Sequence, residues 1–317
     1  MRACIIEQFG GRDQMKAASL PEPEPGEGEV LIRIHAAGIN PVDWKIREGM
    51  LKEMFPHRFP LILGWEMAGV VEATGHSARR FKAGDEVYAY ARRPEIHKGT
   101  YAEYIVLPES YLARKPAGLS MTEAGSIPLT ALTAFQALFE AGRLRKGQSV
   151  FILGASGGVG SSAVQLAAGA GARVIGLASE ANHDYVKSLG AEAMIDYQRG
   201  DFIQSLGELL PQGADLVFDC RGGDTLVRGQ LCVRPGGRLV SITEHVDEES
   251  LKQRDVRFGY VFVEPNAPQL DHIRELVEKG RFKPNVSHTF SLVEAVNAHE
   301  QMETGHTRGK IVLRVAS

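Results

Sequence analysis

Three glycines, Gly154, Gly157 and Gly160, stand three residues apart. The apolar run Ser149-Val150-Phe151-Ile152-Leu153 precedes them, and the small-residue segment Ser161-Ser162-Ala163-Val164-Gln165-Leu166-Ala167 follows. The run has the composition of a strand buried on both faces, and the segment that of a helix. This order sets the free N–H groups of a helix N-terminus at the end of a buried strand. Unsatisfied donors and the helix dipole together attract a phosphate there. Glycine suits the tight turn, the close approach of a pyrophosphate to the backbone, and the packing of helix on strand. The chemistry expected is therefore dinucleotide binding, with Gly154, Ala155, Gly157, Gly158, Val159 and Gly160 around the pyrophosphate. A plain glycine turn is the alternative.

The whole chain limits what else it can do. Its 317 residues allow two domains with substantial cores, and 44% hydrophobic with 24% charged residues is ordinary for a globular protein. A net charge of -3 gives no general attraction for nucleic acid or an anionic membrane. Every long apolar stretch is interrupted by Gly, charge or Gln, so no membrane span is expected. The opening Met1-Arg2-Ala3-Cys4-Ile5-Ile6-Glu7 has too short an apolar core for a signal peptide. Cys4, Cys220 and Cys232 form no CxxC pair, which disfavours a disulfide framework or structural zinc and fits a reducing cytoplasm.

The elements that must carry the glycine turn fall into two kinds. After an initial strand-like run, the proline-rich 21–28 reads as a stiff surface connection. Strands are expected at 29–36, 69–73, 86–90 and 101–106, with Gly84-Asp85 and Lys98-Gly99 as turns. His35 reads as a half-exposed strand residue, and the first third as all-β. From about Ser120 the pattern changes. A helical stretch at 121–142 is interrupted at Pro128, and strands then alternate with helices: strands at 149–153, 173–178, 193–195, 214–219 and 237–242, helices through 185–189, from 201, and near 225–232. Such alternation implies a parallel sheet covered on both faces. The tail offers a strand-like 256–263, a helix at 269–278, a short strand at 288–290, a helix at 292–302 started by a Ser291/Glu294 capping box, and a closing strand at 309–315. The division expected is 1–120, a substrate domain; 121–263, an inserted dinucleotide-binding domain; and 264–317, a segment returning to the first.

Six blocks in order resemble one family. They are Ala37-Gly38-Ile39-Asn40-Pro41-Val42-Asp43, Leu63-Gly64-Trp65-Glu66-Met67-Ala68-Gly69-Val70-Val71, Phe81-Lys82-Ala83-Gly84-Asp85-Glu86-Val87-Tyr88, Ile127-Pro128-Leu129-Thr130-Ala131-Leu132-Thr133-Ala134, Ala155-Ser156-Gly157-Gly158-Val159-Gly160 and Arg308-Gly309-Lys310-Ile311-Val312. Nearly end to end, the chain resembles the medium-chain dehydrogenase/reductase superfamily, in its zinc-free quinone oxidoreductase and enone reductase branch. The resemblance implies an α/β fold class: a GroES-like β-rich domain plus a Rossmann doubly wound parallel-sheet domain. Zinc relatives carry Cys where this chain has Asn40, Gly-His-Glu where it has Gly64-Trp65-Glu66, and a lobe of four close cysteines that is absent here. A catalytic zinc needs about three N or S ligands around an open position, so no metal is expected, and Glu66 reads as a buried structural carboxylate.

The resemblance also implies a nicotinamide cofactor in a cleft between the domains. NAD sites usually place an acid at the end of the second strand. This chain has Leu177-Ala178-Ser179-Glu180-Ala181-Asn182-His183 there. Ser179 suits a 2′-phosphate, assisted by Asn182 or His183, and Tyr197 matches a family tyrosine reaching that phosphate. Glu180, if inward, favours NADH; NADPH is expected and NADH is the alternative. By position in the family, Asn40 and Thr130 hold the nicotinamide ribose side, Cys220 and Arg221 approach the adenosine, Ile242 and Thr243 line the cleft, and Phe262 and Val263 contact the carboxamide. Trp44, Trp65 and Tyr90 are expected to wall a planar substrate. No dedicated acid is fixed: Asn40, Asp43 and Tyr90 are the catalytic candidates, Trp44 and Lys45 are further cleft candidates, and water is the alternative proton source. The expected activity is NADPH-dependent reduction of quinones or α,β-unsaturated carbonyls by a homodimer. The alternatives are a non-catalytic nucleotide-binding relative and a zinc-type alcohol dehydrogenase.

Overall fold

The computed structural model of the chain describes residues 1–316. It divides into two compact units, Met1–Leu129 with the segment from Glu264 on, and Thr130–Val263.

The second unit is built on six parallel strands: Ser149–Leu153, Arg173–Leu177, Ala193–Ile195, Ala214–Asp219, Val233–Ser241 and Arg257–Tyr260. Numbered within this unit, their order across the sheet is three-two-one-four-five-six, the doubly wound arrangement in which ligands bind beyond the strand C-termini. One face carries Phe151, Leu153, Ile175, Leu177, Val217 and Leu239, packed with Phe202, Leu206, Leu226 and Leu251 from three helices. The alternate residues Val150, Ile152, Phe218 and Val240 are buried too. Apolar side chains on both faces are what a covered parallel sheet requires.

Register aligns the functional edge. Leu177 pairs with both Leu153 and Ile195, and Asp219 pairs with Leu153 and Ser241. The residues just past these five strand ends, 154, 178, 196, 220 and 242, therefore start their loops side by side. Two details differ from the sequence reading. A helix, Glu248–Gln253, capped by the Asp247 carboxylate accepting from Glu249 N at 3.1 Å, precedes the last strand, which is shorter than 256–263. The 121–142 stretch splits at Pro128 into Met121–Ala124, Pro128–Phe135 and a wider π-type turn over Gln136–Ala141, and its first part belongs to the other unit.

The first unit centres on Glu29–Ile39, which pairs antiparallel with Glu66–Thr74, Tyr104–Pro108 and Lys310–Arg314. Glu86–Tyr90 extends the sheet beyond Glu66–Thr74, and Val286–Ser291 lies parallel to Lys310–Arg314. The tail thus contributes strands beside residue 39. A smaller sheet joins Lys16–Ser19, Arg2–Ile6 and Leu61–Ile62. The reading of the first third as all-β is corrected: Pro41–Arg47 is a helix. Its local causes are Pro41 in the first turn and Asp43 at the third position, whose carboxylate accepts from Asn40 N at 2.8 Å. The strand expected from Tyr101 starts only at Tyr104, because Tyr101 bonds through its N–H to Leu63 O and through its carbonyl to Cys4 N.

Candidate functional site

At the end of the Ser149–Leu153 strand the three glycines stand in three different settings. Gly154 has φ +81°, a left-handed conformation costly for a side chain. A Cβ on Gly160 would lie 2.1 Å from Gly154 O, so only glycine lets the helix pack there. A Cβ on Gly157 would meet only Gly154 O, at 3.6 Å. Packing within the protein therefore does not require glycine at 157. Gly157 precedes the Gly158–Gly169 helix, whose first N–H groups have no intrahelical partner.

Two neighbouring loops are stapled by one acid that the sequence reading passed over. Asp219 is fully buried at the end of its strand. Its Oδ1 accepts from Arg221 N (3.0 Å) and Gly222 N (2.9 Å); its Oδ2 accepts from Ser241 Oγ (2.8 Å) and Thr243 Oγ1 (2.6 Å). Cys220, Ile242 and Thr243 are thereby held together at the expected edge, half-buried. The signal available was an acid ending an apolar strand. Val263 is buried and Phe262 half-buried beyond the last strand, and Thr130 is buried in Pro128–Phe135.

Past the second strand, Ser179 Oγ accepts from Asn182 Nδ2 at 3.1 Å, leaving the serine proton available to a ligand. His183 Nε2 lies 3.1 Å from Ala178 O, and Tyr197 is exposed. Glu180 is also exposed, and Arg199 Nη2 donates to its Oε2 at 2.5 Å.

In the first unit the register Gly38–Glu66–Tyr90 puts Asn40, Trp65 and Tyr90 at one edge of the sheet. Glu66, fully buried, accepts from Asn40 Nδ2 (2.7 Å) and Lys310 Nζ (2.6 Å) at Oε1 and from Leu129 N (2.7 Å) at Oε2. Lys310 Nζ also donates to Asn40 Oδ1 (2.5 Å) and Ile39 O (2.7 Å). All three donors of the ammonium are used, and the Asn40 amide is fixed in orientation from both ends. Such a charge pair persists in the interior because every partner is supplied.

A second buried chain starts at Asp43. Its Oδ2 accepts from Asn40 N and from Tyr101 Oη (3.0 Å). His299 Nε2 lies 3.2 Å from Tyr101 Oη, and Arg47 Nη1 lies 3.1 Å from His299 Nδ1. A guanidinium only donates, so Nδ1 accepts and Nε2 carries the imidazole proton toward Tyr101. Arg47 is anchored in turn by Glu303 (2.7 Å) and Glu48 (2.6 Å). Burial raises the Asp43 carboxyl to about 7 against the opposing bonds from Asn40 and Tyr101. Burial and the Arg47 charge lower His299 to about 3. Asp43 is then a neutral acid in slightly acidic solution; its Oδ2 takes both donors, and its Oδ1 is buried without a hydrogen bond.

Tyr90 Oη is likewise buried without a partner. Its ring meets Trp65 at 6.2 Å between centroids, and Trp65 meets Phe55 at 6.1 Å, both edge-on. Trp65 is buried, whereas Trp44 and Lys45 are half-buried. Lys310, Tyr101 and His299 were not singled out by sequence; the block from Arg308 to Val312 held the first, but nothing local tied it to Glu66.

The donor set does not suit zinc. Asn40 and Trp65 offer neither thiolate nor imidazole, Glu66 is committed to an ammonium, and no group of three His, Cys, Asp or Glu among the described residues could hold a metal ion.

Comparison with known proteins agrees with this architecture. The family model described as "Alcohol dehydrogenase GroES-like domain" matches residues 26–117, and that described as "Zinc-binding dehydrogenase" matches 189–313. The chain is 35% identical to 2-methylene-furan-3-one reductase of Solanum lycopersicum, over 99% of this chain and 79% of that one. It is 31% identical to NAD(P)H oxidoreductase RTN4IP1, mitochondrial, of Danio rerio, over 99% and 91%. The structure of Escherichia coli quinone oxidoreductase complexed with NADPH superimposes with a TM-score of 0.90 at 26% identity, covering 99% of this chain and all of that one.

Proposed function

The chain belongs to the zinc-independent quinone oxidoreductase and enone reductase branch of the medium-chain dehydrogenase/reductase superfamily, a family of NAD(P)H-dependent oxidoreductases, and on that premise we propose that it reduces quinones or α,β-unsaturated carbonyls with NADPH and without a metal. The observation that carries the reading is the glycine turn, where a Cβ at Gly157 would occupy space the protein leaves open. The residues present fit the cofactor. Gly154, Ala155, Gly157, Gly158, Val159 and Gly160 are assigned to the pyrophosphate, and Ser179, Asn182 and Tyr197 to the 2′-phosphate. Cys220, Ile242 and Thr243, on the loops held by Asp219, are assigned to the adenosine side and the dihydropyridine surroundings, and Phe262 and Val263 to the carboxamide. Asn40 and Thr130 are assigned to the nicotinamide ribose.

When bound, NADPH supplies a hydride to an electron-poor carbon or quinone. The chain's own contribution is positioning. Lys310 and Glu66 hold the Asn40 amide in one orientation, so no reorganisation is needed when a ligand meets it. Trp44, Trp65 and Tyr90 are assigned to the walls of a planar acceptor. Charge developing on the acceptor oxygen requires a proton; Asp43 and Tyr90 are the proposed protein sources, with water as the other. The three free cysteines suit a reducing cytoplasm, and no helix among the described residues is long and apolar enough to cross a membrane. A homodimer is proposed, to be read by sedimentation.

The test is NADPH consumption with a panel of quinones and enones. Turnover on either class is expected. Cofactor binding with no turnover on any acceptor would instead make the protein a nucleotide-binding relative without this activity.

A further inference from the structure

The two acids and one base beyond the second and third strands of the parallel sheet form an arrangement that the glycine turn does not explain. Glu180 lies three residues past Leu177, and Asp196 and Arg199 lie one and four residues past Ile195; Leu177 and Ile195 are direct partners in the sheet. The loops therefore leave the same edge next to each other, on the side of the second strand away from the glycine turn. A carboxylate in the position of Glu180 is of the kind that binds the two ribose hydroxyls of NADH and repels a 2′-phosphate. Here it is not free. Arg199 Nη2 donates to Glu180 Oε2 at 2.5 Å, and Arg199 Nε lies 3.8 Å from Asp196 Oδ2. Asp196 is itself occupied, accepting Gln198 N at 2.9 Å through Oδ1.

The guanidinium has five N–H donors, and the Glu180 bond uses one of them. Both partners are largely exposed, with side chains at 70% for Arg199 and 59% for Glu180. Water screens a pair of this kind, and it contributes little to holding the fold. Breaking it therefore costs little, whereas a phosphate dianion offers the guanidinium a stronger, bidentate partner. Ser179, whose hydroxyl proton is free to donate, and exposed Tyr197 lie on the same two loops.

We propose that Arg199 is the residue that selects NADPH over NADH, by binding the 2′-phosphate, and that Glu180 is an internal anion that competes for the same guanidinium and is displaced from it. The inference rests on the dinucleotide site proposed above. It makes Glu180 a brake on the preference for NADPH rather than a ribose ligand. NADH gains nothing from Arg199 and leaves the pair closed.

The experiment is equilibrium binding of NADPH and NADH to the full-length protein, followed by the change in dinucleotide fluorescence, for wild type, Arg199→Ala, Glu180→Gln and the double variant. Both sites are exposed, so the variants are expected to fold, which circular dichroism checks. Arg199→Ala is expected to raise the Kd for NADPH about tenfold or more, the size of one charge-assisted bond, and to leave the Kd for NADH within about twofold. Glu180→Gln is expected to tighten NADPH by about two- to fivefold, the size of an exposed ion pair, a gain absent in the Arg199→Ala background because the two residues act on one another. Equal effects of Arg199→Ala on both dinucleotides, or no effect on either, would overturn the assignment. Weaker NADPH binding in Glu180→Gln would overturn the competition. Wild-type protein that binds neither dinucleotide would overturn the underlying site and this inference with it.

Discussion

The two ends where ligands are expected to meet this chain are built on opposite principles. At the sheet edge of the first unit, Asn40, Glu66 and Lys310 are buried, every donor of the ammonium is used, and the amide is locked before any ligand arrives. At the edge of the parallel sheet in the second unit, Ser179, Glu180, Tyr197 and Arg199 are half or fully exposed, and their bonds are ones water can replace. Buried charge is strong and unforgiving; exposed charge is weak and exchangeable. A locked group suits a fixed geometry about reacting atoms. An exchangeable pair suits a choice between two cofactors that differ by one phosphate.

The contrast breaks first at Lys310. Lys310→Met leaves the Glu66 carboxylate buried without its cation and is expected to cost about 3–5 kcal/mol, measured by denaturant unfolding. The Lys310→Met/Glu66→Gln pair should recover part of that loss, because the uncompensated charge is gone. Simple addition of the two single effects would mean the buried lock does not exist.

Within the glycine turn the next effect separates packing from binding. Gly160→Val forces a side chain against Gly154 O and is expected to destabilise by about 1–3 kcal/mol or more. Gly157→Val should keep the stability of the wild type and lose about tenfold or more in dinucleotide affinity. If both variants lost stability alike, Gly157 would be a packing residue and not a cradle.

The buried Asp43–Tyr101–His299 chain, unlike the exposed pair, makes stability respond to pH. Asp43, ordinarily near 3.8, is raised to about 7 in the fold, so alone it gives stability that is present at low pH and lost as pH rises toward 7. His299, ordinarily near 6.5, is lowered to about 3, so alone it gives stability that is present above 6.5 and lost as pH falls toward 3. Between roughly 4 and 6.5 the folded pair holds one proton, on Asp43, and the unfolded pair holds one, on His299, so their contributions cancel. Wild type should be nearly flat there with respect to this pair. Against wild type, Asp43→Asn should gain stability with rising pH, and His299→Gln should lose it, each by about 1.4 kcal/mol per pH unit. Parallel slopes for all three proteins would contradict the assigned protonation. The smallest effect belongs to Tyr90→Phe, which removes a buried hydroxyl that has no partner. Stability should change by less than about 1 kcal/mol, while acceptor KM rises if the hydroxyl meets the substrate.

What the sequence disclosed follows the same division. The glycine turn was legible because strand, turn and helix requirements fall within about twenty contiguous residues. The strands of the parallel sheet were legible for the same reason: each is a short apolar run closed by turn residues. The Pro41–Arg47 helix was missed although Asn40, Pro41 and Asp43 supply its start, because it is too short to show a period. Of the buried networks only Glu66 was legible, as a buried structural carboxylate; its pairing with Lys310 and the chain from Asp43 to Arg47 were not. Lys310 lies 244 residues from Glu66, and His299 lies 252 from Arg47, and no local pattern encodes such a pairing. Arg199 was overlooked for a gentler version of that reason. Its partner Glu180 is only 19 residues away, but the intervening strand must form before the two loops adjoin.

The most direct test of a metal-free reductase is NADPH oxidation with a quinone or enone acceptor, measured on protein whose metal content has been determined by elemental analysis before and after exhaustive chelation. The same turnover is expected in both preparations, with no response to added zinc. Turnover that disappears on chelation and returns with zinc would contradict it.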